Sequence, residues 1–228
     1  MAHYVMSDIH GEADRFHAML KKIQFSEADT LYILGDVVDR GPDGVKLLRE
    51  IMSTPNMVMV LGNHEYMMMQ YYSPEVTEVE IRRWNKNRNA ATKEGYLKLK
   101  AVEQQELMEF LQTRPSHLEV TVNGQNFYLV HGFPGGNVHD EVWFRPEYDT
   151  PNPVPGATVI IGHTPVQYIL KPVKEERQEY LSDLASRGEH LCILHAPGYI
   201  DIDCSCGYEL TAKALACIRL EDFFEFYL

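Results

Sequence analysis

Three short apolar runs in the first 65 residues each end in a polar turn that contains glycine. The runs and their turns occupy residues 3–11, 30–41 and 56–65, and segments with a helical pattern lie between them at 13–23 and 44–52. Continuous apolar runs are typical of strands buried on both faces, and their alternation with helices predicts parallel βαβ units. All three polar turns should therefore lie at the carboxyl edge of one sheet, where open α/β sheets bind their ligands.

Residues from about 66 to 115 have a different pattern, with helical periodicity and many charges. Trp84 lies there among four basic side chains, which are Arg82, Arg83, Lys86 and Arg88. Such a charge run is usually a solvated helix face, here with one packed tryptophan, and the alternative is a cap that contacts substrate. We interpret the segment as a mostly helical insertion in a single domain that spans residues 1–228.

Strand patterns return from residue 118. Residues 118–122 and 127–130 flank Asn123-Gly124, a dipeptide typical of tight hairpin turns. The proline-rich residues 148–156 indicate a surface loop, and the charged residues 174–187 predict either a helix or a mobile segment. Further strands are predicted at 157–161, 191–194, 199–202 and 214–220.

The composition is that of an ordinary globular protein with an acidic balance. With 228 residues, of which 45% are hydrophobic and 24% charged, the chain can bury a core, which excludes disordered and fibrous classes. The net charge of −12 argues against broad nucleic-acid binding and suits cation binding. The sequence has no run of 18 apolar residues, no signal-peptide pattern and no C-x-x-C spacing. We therefore expect a cytoplasmic protein with reduced thiols and with no nucleic-acid or membrane partner.

Six side chains of metal-binding types follow apolar runs at five places in the chain. A lone histidine after a strand is more often a packed or capping residue, but six such residues beside glycines are hard to obtain by coincidence. Carboxylate, imidazole and amide donors without thiolates suit Mn, Fe or Zn and disfavour a structural zinc site. The sequence therefore predicts a two-metal site. Its candidate ligands are Asp8, His10, Asp36, Asn63, His131 and His163.

Five motifs that contain these residues resemble those of the calcineurin-like metallophosphoesterases. Within that superfamily, the chain is similar to the bacterial and phage branch of the phosphoprotein phosphatases. The motifs are Asp8-Ile-His10-Gly, Gly35-Asp-Val-Val-Asp-Arg-Gly41, Gly62-Asn-His-Glu65, His131-Gly and Gly162-His-Thr. The resemblance implies an α/β fold of two packed, mixed β-sheets flanked by helices.

The resemblance also implies that Asp36 bridges two divalent metal ions, with Mn as the first choice and Fe or Zn as alternatives. Asp8 and His10 would complete the ligands of the first ion. The second ion would be held by Asn63, His131 and His163 together with Asp36. Two such ions activate water and clamp an in-line displacement at phosphorus, so direct water attack without a phosphoenzyme is expected.

The same resemblance implies roles for four further residues. His64 would be the general acid, and Asp39 would orient its ring. Arg40 and Arg145 would grip the phosphate oxygens, because a guanidinium is a planar and permanently charged fork. Arg145 has the shortest motif, and the alternative for this residue is a surface ion pair.

The chain departs from the phage pattern at one place. Close phage relatives have an arginine just before the Gly-Asn-His-Glu motif, where this chain has Val60-Leu61. One phosphate contact is therefore expected to be missing or replaced. His195, Asp201 and Asp203 fall outside the matched motifs, and we interpret them as structural residues.

The predicted reaction is metal-dependent hydrolysis of phosphomonoesters on serine, threonine or tyrosine side chains of a phosphoprotein or phosphopeptide. The enzymatic alternative is a symmetrical dinucleoside polyphosphate hydrolase of the Ap4A type. Many such hydrolases lack the second Asp of Gly-Asp-x-x-Asp-Arg-Gly and have Asp in place of Glu65, so Asp39 and Glu65 favour the phosphatase. A catalytically silent metal-binding scaffold is the alternative from another class; it predicts loss of an essential group, and neither the ligands nor His64 are missing.

Overall fold

The computed structural model describes residues 1–228. Its strands are β1 (His3–Met6), β2 (Thr30–Ile33), β3 (Met57–Met59), β4 (His117–Val122), β5 (Gln125–Val130), β6 (Ala157–Ile161), β7 (Leu194–His195), β8 (Ile200–Asp201), β9 (Ala216–Arg219) and β10 (Glu225–Tyr227). Its helices are α1 (Ala13–Lys22), α2 (Gly44–Ser53), α3 (Asn63–Tyr71), α4 (Glu78–Asn85), α5 (Ala90–Leu97), α6 (Ala101–Gln112), α7 (Val138–Trp143), α8 (Val166–Leu170) and α9 (Lys174–Arg187). None of these helices combines the length and the apolar character that crossing a membrane requires.

The strands form two mixed sheets of five strands each, with the orders β10-β9-β1-β2-β3 and β4-β5-β6-β8-β7. In the first sheet β1, β2 and β3 are parallel, because α1 and α2 carry the chain back between them, and β9 is antiparallel to β1. In the second sheet the β4–β5 hairpin continues into β6 and β8, which run parallel to β5. The prediction of two mixed sheets flanked by helices is confirmed.

Alternate residues of β1 supply two separate hydrophobic clusters, as the two-residue period of a strand requires. Val5 packs into the cluster that joins the two sheets, which also contains Phe127 and Ile160 of the second sheet. Tyr4 and Met6 face the opposite side and pack into a cluster with the helices that cover the first sheet. The first sheet is thus buried on both faces, which explains its continuous apolar strands.

Four helices, α3 to α6, occupy residues 63–112. The start of α4 is fixed by Thr77, whose hydroxyl accepts from the Glu80 amide while the Glu80 carboxylate accepts from the Thr77 amide. Trp84 of α4 is completely buried, whereas Arg82 and Arg83 are exposed. Arg82 and Arg83 thus lie on a solvated face beside one packed tryptophan.

The structure corrects several element boundaries in the C-terminal half. The predicted strands 191–194, 199–202 and 214–220 are shorter or shifted, since β7 and β8 have two residues each. The short elements α7, α8 and β10 have no clear sequence pattern, because five or six residues do not fill two helical turns and β10 pairs only with β9. Residues 174–187 form the regular helix α9, which ends at Gly188 in the left-handed conformation with φ +67°.

Candidate metal centre

The six predicted metal ligands lie where strands of both sheets end. Asp8 and His10 follow β1, Asp36 follows β2, and Asn63 begins α3 after β3. His131 and His163 follow β5 and β6 of the second sheet. All six side chains are buried, with at most 4% of any residue exposed. The backbone N–H of His163 donates to Asp8 Oδ2 over 2.9 Å, a hydrogen bond that joins the two sheets directly at this point.

Asp36 lies between two groups of histidines. Its Oδ2 atom is 3.6 Å from His10 Nε2, and its Oδ1 atom is 3.2 Å from His131 Nε2. The potential ligand atoms of His10, Asp36 and His64 lie within 4.8 Å of one another, and so do those of Asp36, His131 and His163. Asp36 is therefore the carboxylate common to both clusters, which is the position of a bridging ligand.

The two remaining predicted ligands complete these clusters. Asp8 Oδ1 lies 3.7 Å from His10 Nε2, on the first side of Asp36. Asn63 Oδ1 lies 2.9 Å from His131 Nε2, on the second side. The structure thus brings all six residues together around Asp36.

The hydrogen bonds of the imidazole rings leave nitrogen lone pairs free to bind divalent cations. His10 Nδ1 donates to the Val38 carbonyl over 2.9 Å, so its other nitrogen, Nε2, has a bare lone pair. That Nε2 atom is buried and has no hydrogen-bond partner. His131 Nδ1 donates to the Leu34 carbonyl over 2.5 Å, which turns the lone pair of its Nε2 toward the oxygens of Asn63 and Asp36. Facing lone pairs repel each other unless a cation lies between them, and this donor set suits Mn, Fe or Zn.

The electrostatics of the site also favour cations. Burial raises the pKa of the Asp36 carboxyl to about 8, and the neighbouring Asp8 and Glu65 carboxylates act in the same direction, against the His64 ring. Burial and the Arg40 charge lower the pKa of His10 well below its usual value. The short contacts between His10 and the carboxylates are therefore not ion pairs, because the imidazole is neutral. A divalent ion would supply the positive charge that these carboxylates lack.

The backbone at the site is held in an uncommon conformation. Only eleven residues other than glycine have positive φ, and six of them are predicted site residues, with φ between 49° and 70°: Asp8, His10, Asp36, Asp39, Arg40 and His163. This conformation is costly for residues with a side chain and persists where the surroundings enforce it. Sequence patterns cannot predict it, since aspartate and histidine occur in turns of many kinds.

Glu65 holds the loop that contains Asp36 by hydrogen bonds to its backbone. Its carboxylate accepts three backbone N–H bonds, from Asp36 and Val37 over 2.8 Å and from Val38 over 3.1 Å. Gly62 is necessary beside it, because a Cβ at that position would lie 2.6 Å from Glu65 Oε2 and closer still to Asp36. Glu65 therefore positions the bridging carboxylate without being a ligand itself.

His64 and Asp39 form a buried pair next to the metal ligands. His64 Nδ1 donates to Asp39 Oδ2 over 2.6 Å, and His64 Nε2 lies 3.6 Å from Asp36 Oδ2. Trp84 Nε1 donates to the same Asp39 oxygen over 2.7 Å, and Asp39 N donates to the Thr92 hydroxyl over 2.9 Å. Helices α4 and α5 thus hold the partner of the predicted acid in place. The sequence interpretation missed both contacts, although a lone buried tryptophan near the site motifs was a usable signal.

The two predicted phosphate-binding arginines lie on opposite sides of the centre. Arg40 Nη2 is 3.5 Å from His64 Nε2, and Arg145 Nη1 donates to the His163 carbonyl over 3.1 Å. Arg145 is exposed and forms no ion pair with a carboxylate. Val60 and Leu61, which stand where phage relatives have an arginine, are buried apolar residues.

The residues interpreted as structural make local contacts. Asp201 Oδ1 accepts from Asp203 N over 3.0 Å, and Asp203 Oδ1 accepts from Ser205 N over 2.9 Å, so both carboxyls hold their own loop. His195 pairs with Glu225 on the surface at 2.7 Å. All four cysteines are free.

Comparison with known proteins identifies the family. The sequence profile of the calcineurin-like phosphoesterases matches residues 1–223. The chain belongs to this family. The predicted divalent-metal cofactors agree with that family and with the two clusters around Asp36.

Curated relatives of the chain carry the name bis(5'-nucleosyl)-tetraphosphatase, symmetrical. The protein from Wigglesworthia glossinidia brevipalpis is 43% identical over 75 residues, which is 32% of this chain and 28% of that protein. The protein from Delftia acidovorans is 32% identical over 134 residues, covering 58% of this chain and 44% of that protein. The chain thus aligns with less than half the length of these relatives.

Solved structures with the same fold have several names. A putative diadenosine tetraphosphatase covers 100% of this chain and 92% of its own, with a TM-score of 0.60 and 15% identity. A protein serine/threonine phosphatase from Saccharomyces cerevisiae covers 97% of this chain and 73% of its own, with a TM-score of 0.61 and 13% identity. At such identities these likenesses show the fold alone.

We predict that Asp36→Asn removes more metal than Asp8→Asn does. Loss of the shared carboxylate exposes two cations to each other, whereas loss of Asp8 weakens one site. Metal analysis of purified protein should find about two ions in the wild type, about one in Asp8→Asn and fewer in Asp36→Asn. Asp183→Asn on the exposed face of α9 is the control. Equal metal content in the Asp8 and Asp36 variants would contradict the bridge.

A second prediction concerns Glu65. Glu65→Ala leaves three buried N–H groups without an acceptor, so we expect the free energy of unfolding to fall by about 3–5 kcal/mol. Urea denaturation measures this change, with the exposed Glu94→Ala as the control. A loss no larger than that of Glu94→Ala would show that water or a rearranged loop satisfies these groups.

Proposed function

We propose that the chain is a dinuclear-metal phosphohydrolase that cleaves symmetrical dinucleoside tetraphosphates. The observation that carries the hydrolytic part is the pairing of two ligand sets around Asp36 with the His64–Asp39 pair beside them. The names of the curated relatives support the substrate. In this reaction one water is added across the central P–O–P link: its OH bonds to one phosphorus, and a proton goes to the departing oxygen, giving two nucleoside diphosphates.

Divalent ions held by the six ligands would supply Lewis-acid polarisation of the phosphate and lower the pKa of water. Side chains of the protein would bind the phosphate and donate the proton. Arg40 and Arg145, on opposite sides of the centre, would bind the phosphate oxygens and orient the phosphorus. His64 would donate a proton from Nε2 to the departing oxygen, because Asp39 occupies Nδ1 and fixes the ring.

A second candidate substrate is a phosphomonoester on a protein side chain. The observation that favours it is the Asp39 carboxylate, which both His64 and Trp84 hold in a buried position. A firmly oriented acid is most valuable for a poor leaving group such as the serine alkoxide, and less so for a diphosphate. Glu65 does not discriminate between the substrates by direct contact, since it binds the backbone of the Asp36 loop.

The two substrates can be compared directly. We expect the Mn-loaded protein to hydrolyse diadenosine tetraphosphate with a higher kcat/KM than a phosphoserine or phosphotyrosine peptide, and to yield ADP as the only nucleotide. Chromatography of the nucleotides and phosphate release from the peptides give both values. A higher kcat/KM for a phosphopeptide would establish the second candidate. Formation of ATP and AMP would contradict symmetrical cleavage.

The role of His64 predicts a dependence on the leaving group. His64→Asn should retain both metals and lose about 10²–10⁴ in rate on substrates whose leaving group needs a proton. The loss should be largest for phosphoserine, smaller for the ADP released from diadenosine tetraphosphate, and smallest for dinitrophenyl phosphate. His195→Asn, a surface histidine paired with Glu225, is the matched control. An equal loss for all leaving groups, with metals retained, would remove His64 from the acid role.

A further inference from the structure

A small groove opens beside His64 at the junction of three loops. Its volume is about 210 Å³, and six residues line it: Arg40, Lys86, Asn87, Arg88, Gly207 and Tyr208. We call this the anion groove. Arg40 connects it to the reaction centre, because its Nη2 atom lies 3.5 Å from His64 Nε2.

The anion groove is basic in a protein that is otherwise acidic. Arg40, Lys86 and Arg88 bring three positive charges to its walls, while the whole chain has a net charge of −12. The pocket on the other side of the centre is different in character. It has a volume of about 480 Å³ and includes Arg145, but its rim also carries Glu147 and Asp149. The His64 side of the centre therefore attracts a polyanion more strongly than the other side does.

The walls of the groove are fixed by the backbone. Arg40 and Arg88 are both left-handed, with φ of 67° and 55°, and Arg40 N donates to the Arg88 carbonyl over 3.1 Å. The Arg40 guanidinium lies over the Tyr208 ring, 4.3 Å from its centroid. These contacts hold the loop before α5 and the loop after β8 against the Arg40 turn. The Arg40 guanidinium and the backbone of the groove are thus positioned before a ligand arrives, which lowers the entropic cost of binding.

The position of the groove indicates which part of a substrate it binds. A general acid lies next to the oxygen that leaves, so the space beyond His64 belongs to the leaving group. Resting on the proposed function, we infer that the anion groove binds the phosphates of the departing nucleoside diphosphate, with Lys86 and Arg88 as specificity-determining residues. A leaving group with a phosphate chain is preferred over a neutral alcohol because it meets these cations.

Glu209 competes with such a ligand. Its carboxylate pairs with Arg88 over 2.6 Å, and both side chains are exposed, at 82% and 54%. An exposed pair of this kind is weak, so an incoming phosphate can displace it. Removing the Glu209 charge should therefore strengthen anion binding, whereas removing Lys86 and Arg88 should weaken it.

Calorimetric titration of the Mn-loaded protein with ADP and with AMP tests the inference. The wild type should bind ADP roughly tenfold more tightly than AMP, because only ADP has a phosphate that reaches the groove. Lys86→Ala/Arg88→Ala should lose most of that difference. Glu209→Gln should tighten ADP binding about twofold, since one competing charge is gone. Lys21→Ala/Lys98→Ala removes the same charge from α1 and the end of α5 and should leave the ADP-to-AMP ratio unchanged.

Two results would overturn the inference: ADP binding no tighter than AMP binding, or a Lys86/Arg88 variant with the wild-type ratio and a wild-type melting temperature. Glu209→Gln is expected to strengthen ADP binding, a change that a variant which simply fails to fold cannot produce. The failure of the proposed function is recognised separately. If the wild type does not cleave diadenosine tetraphosphate but the ADP pattern holds, the substrate proposal is wrong and the anion groove stands.

Discussion

The structure depends on one buried carboxylate, Asp36, placed where its negative charge cannot be left uncompensated. Asp8 and Glu65 add further buried carboxyls nearby, and the imidazole of His10, the nearest possible counter-ion, is kept neutral by burial. Burying such charges is costly, and burial accordingly raises the pKa of the Asp36 carboxyl to about 8. Two nitrogen lone pairs are available to bind cations beside Asp36: the free lone pair of His10 Nε2 and the lone pair of His131 Nε2, which faces Asp36. Bound cations would therefore stabilise the charged form of Asp36 in the folded protein as well as serve the proposed reaction.

The fold meets this requirement by joining the carboxyl ends of strands from two sheets. The Asp8 carboxylate at the end of β1 accepts a hydrogen bond from the backbone N–H of His163 at the end of β6. This bond fixes the ligands of the two sheets relative to each other. The cost of the left-handed backbone at the site is offset by contacts beyond the ligands, of which the three N–H bonds to Glu65 are the clearest. Trp84 donates a hydrogen bond to the Asp39 carboxylate, which in turn orients the His64 ring. Helix α4, which carries Trp84, thus helps to position the proposed general acid.

Sequence patterns predicted the strand ends and the ligand types because both follow from local rules. Apolar runs mark buried strands, and polar residues directly after them must share a sheet edge. The resemblance added the division into two sets and the pairing of His64 with Asp39, which lie 25 residues apart. The contacts that sequence did not predict are those that join distant segments: Arg40 to Arg88, Gly207 to the His10 ring, and Trp84 to Asp39, of which the sequence indicated only that Trp84 is packed. The hydrophobic periodicity of a sequence does not show which distant loops are in contact. The elements β10 and α7 are too short to have a recognisable periodicity.

The central claim is that Asp36 is shared by two cations. A crystal structure of the Mn-loaded protein, with anomalous diffraction measured on both sides of the Mn absorption edge, tests it most directly. The account predicts two anomalous peaks, one between Asp36 and the Asp8–His10 pair and the other between Asp36 and the Asn63–His131–His163 group. A single peak, or two peaks of which only one contacts Asp36, would contradict it.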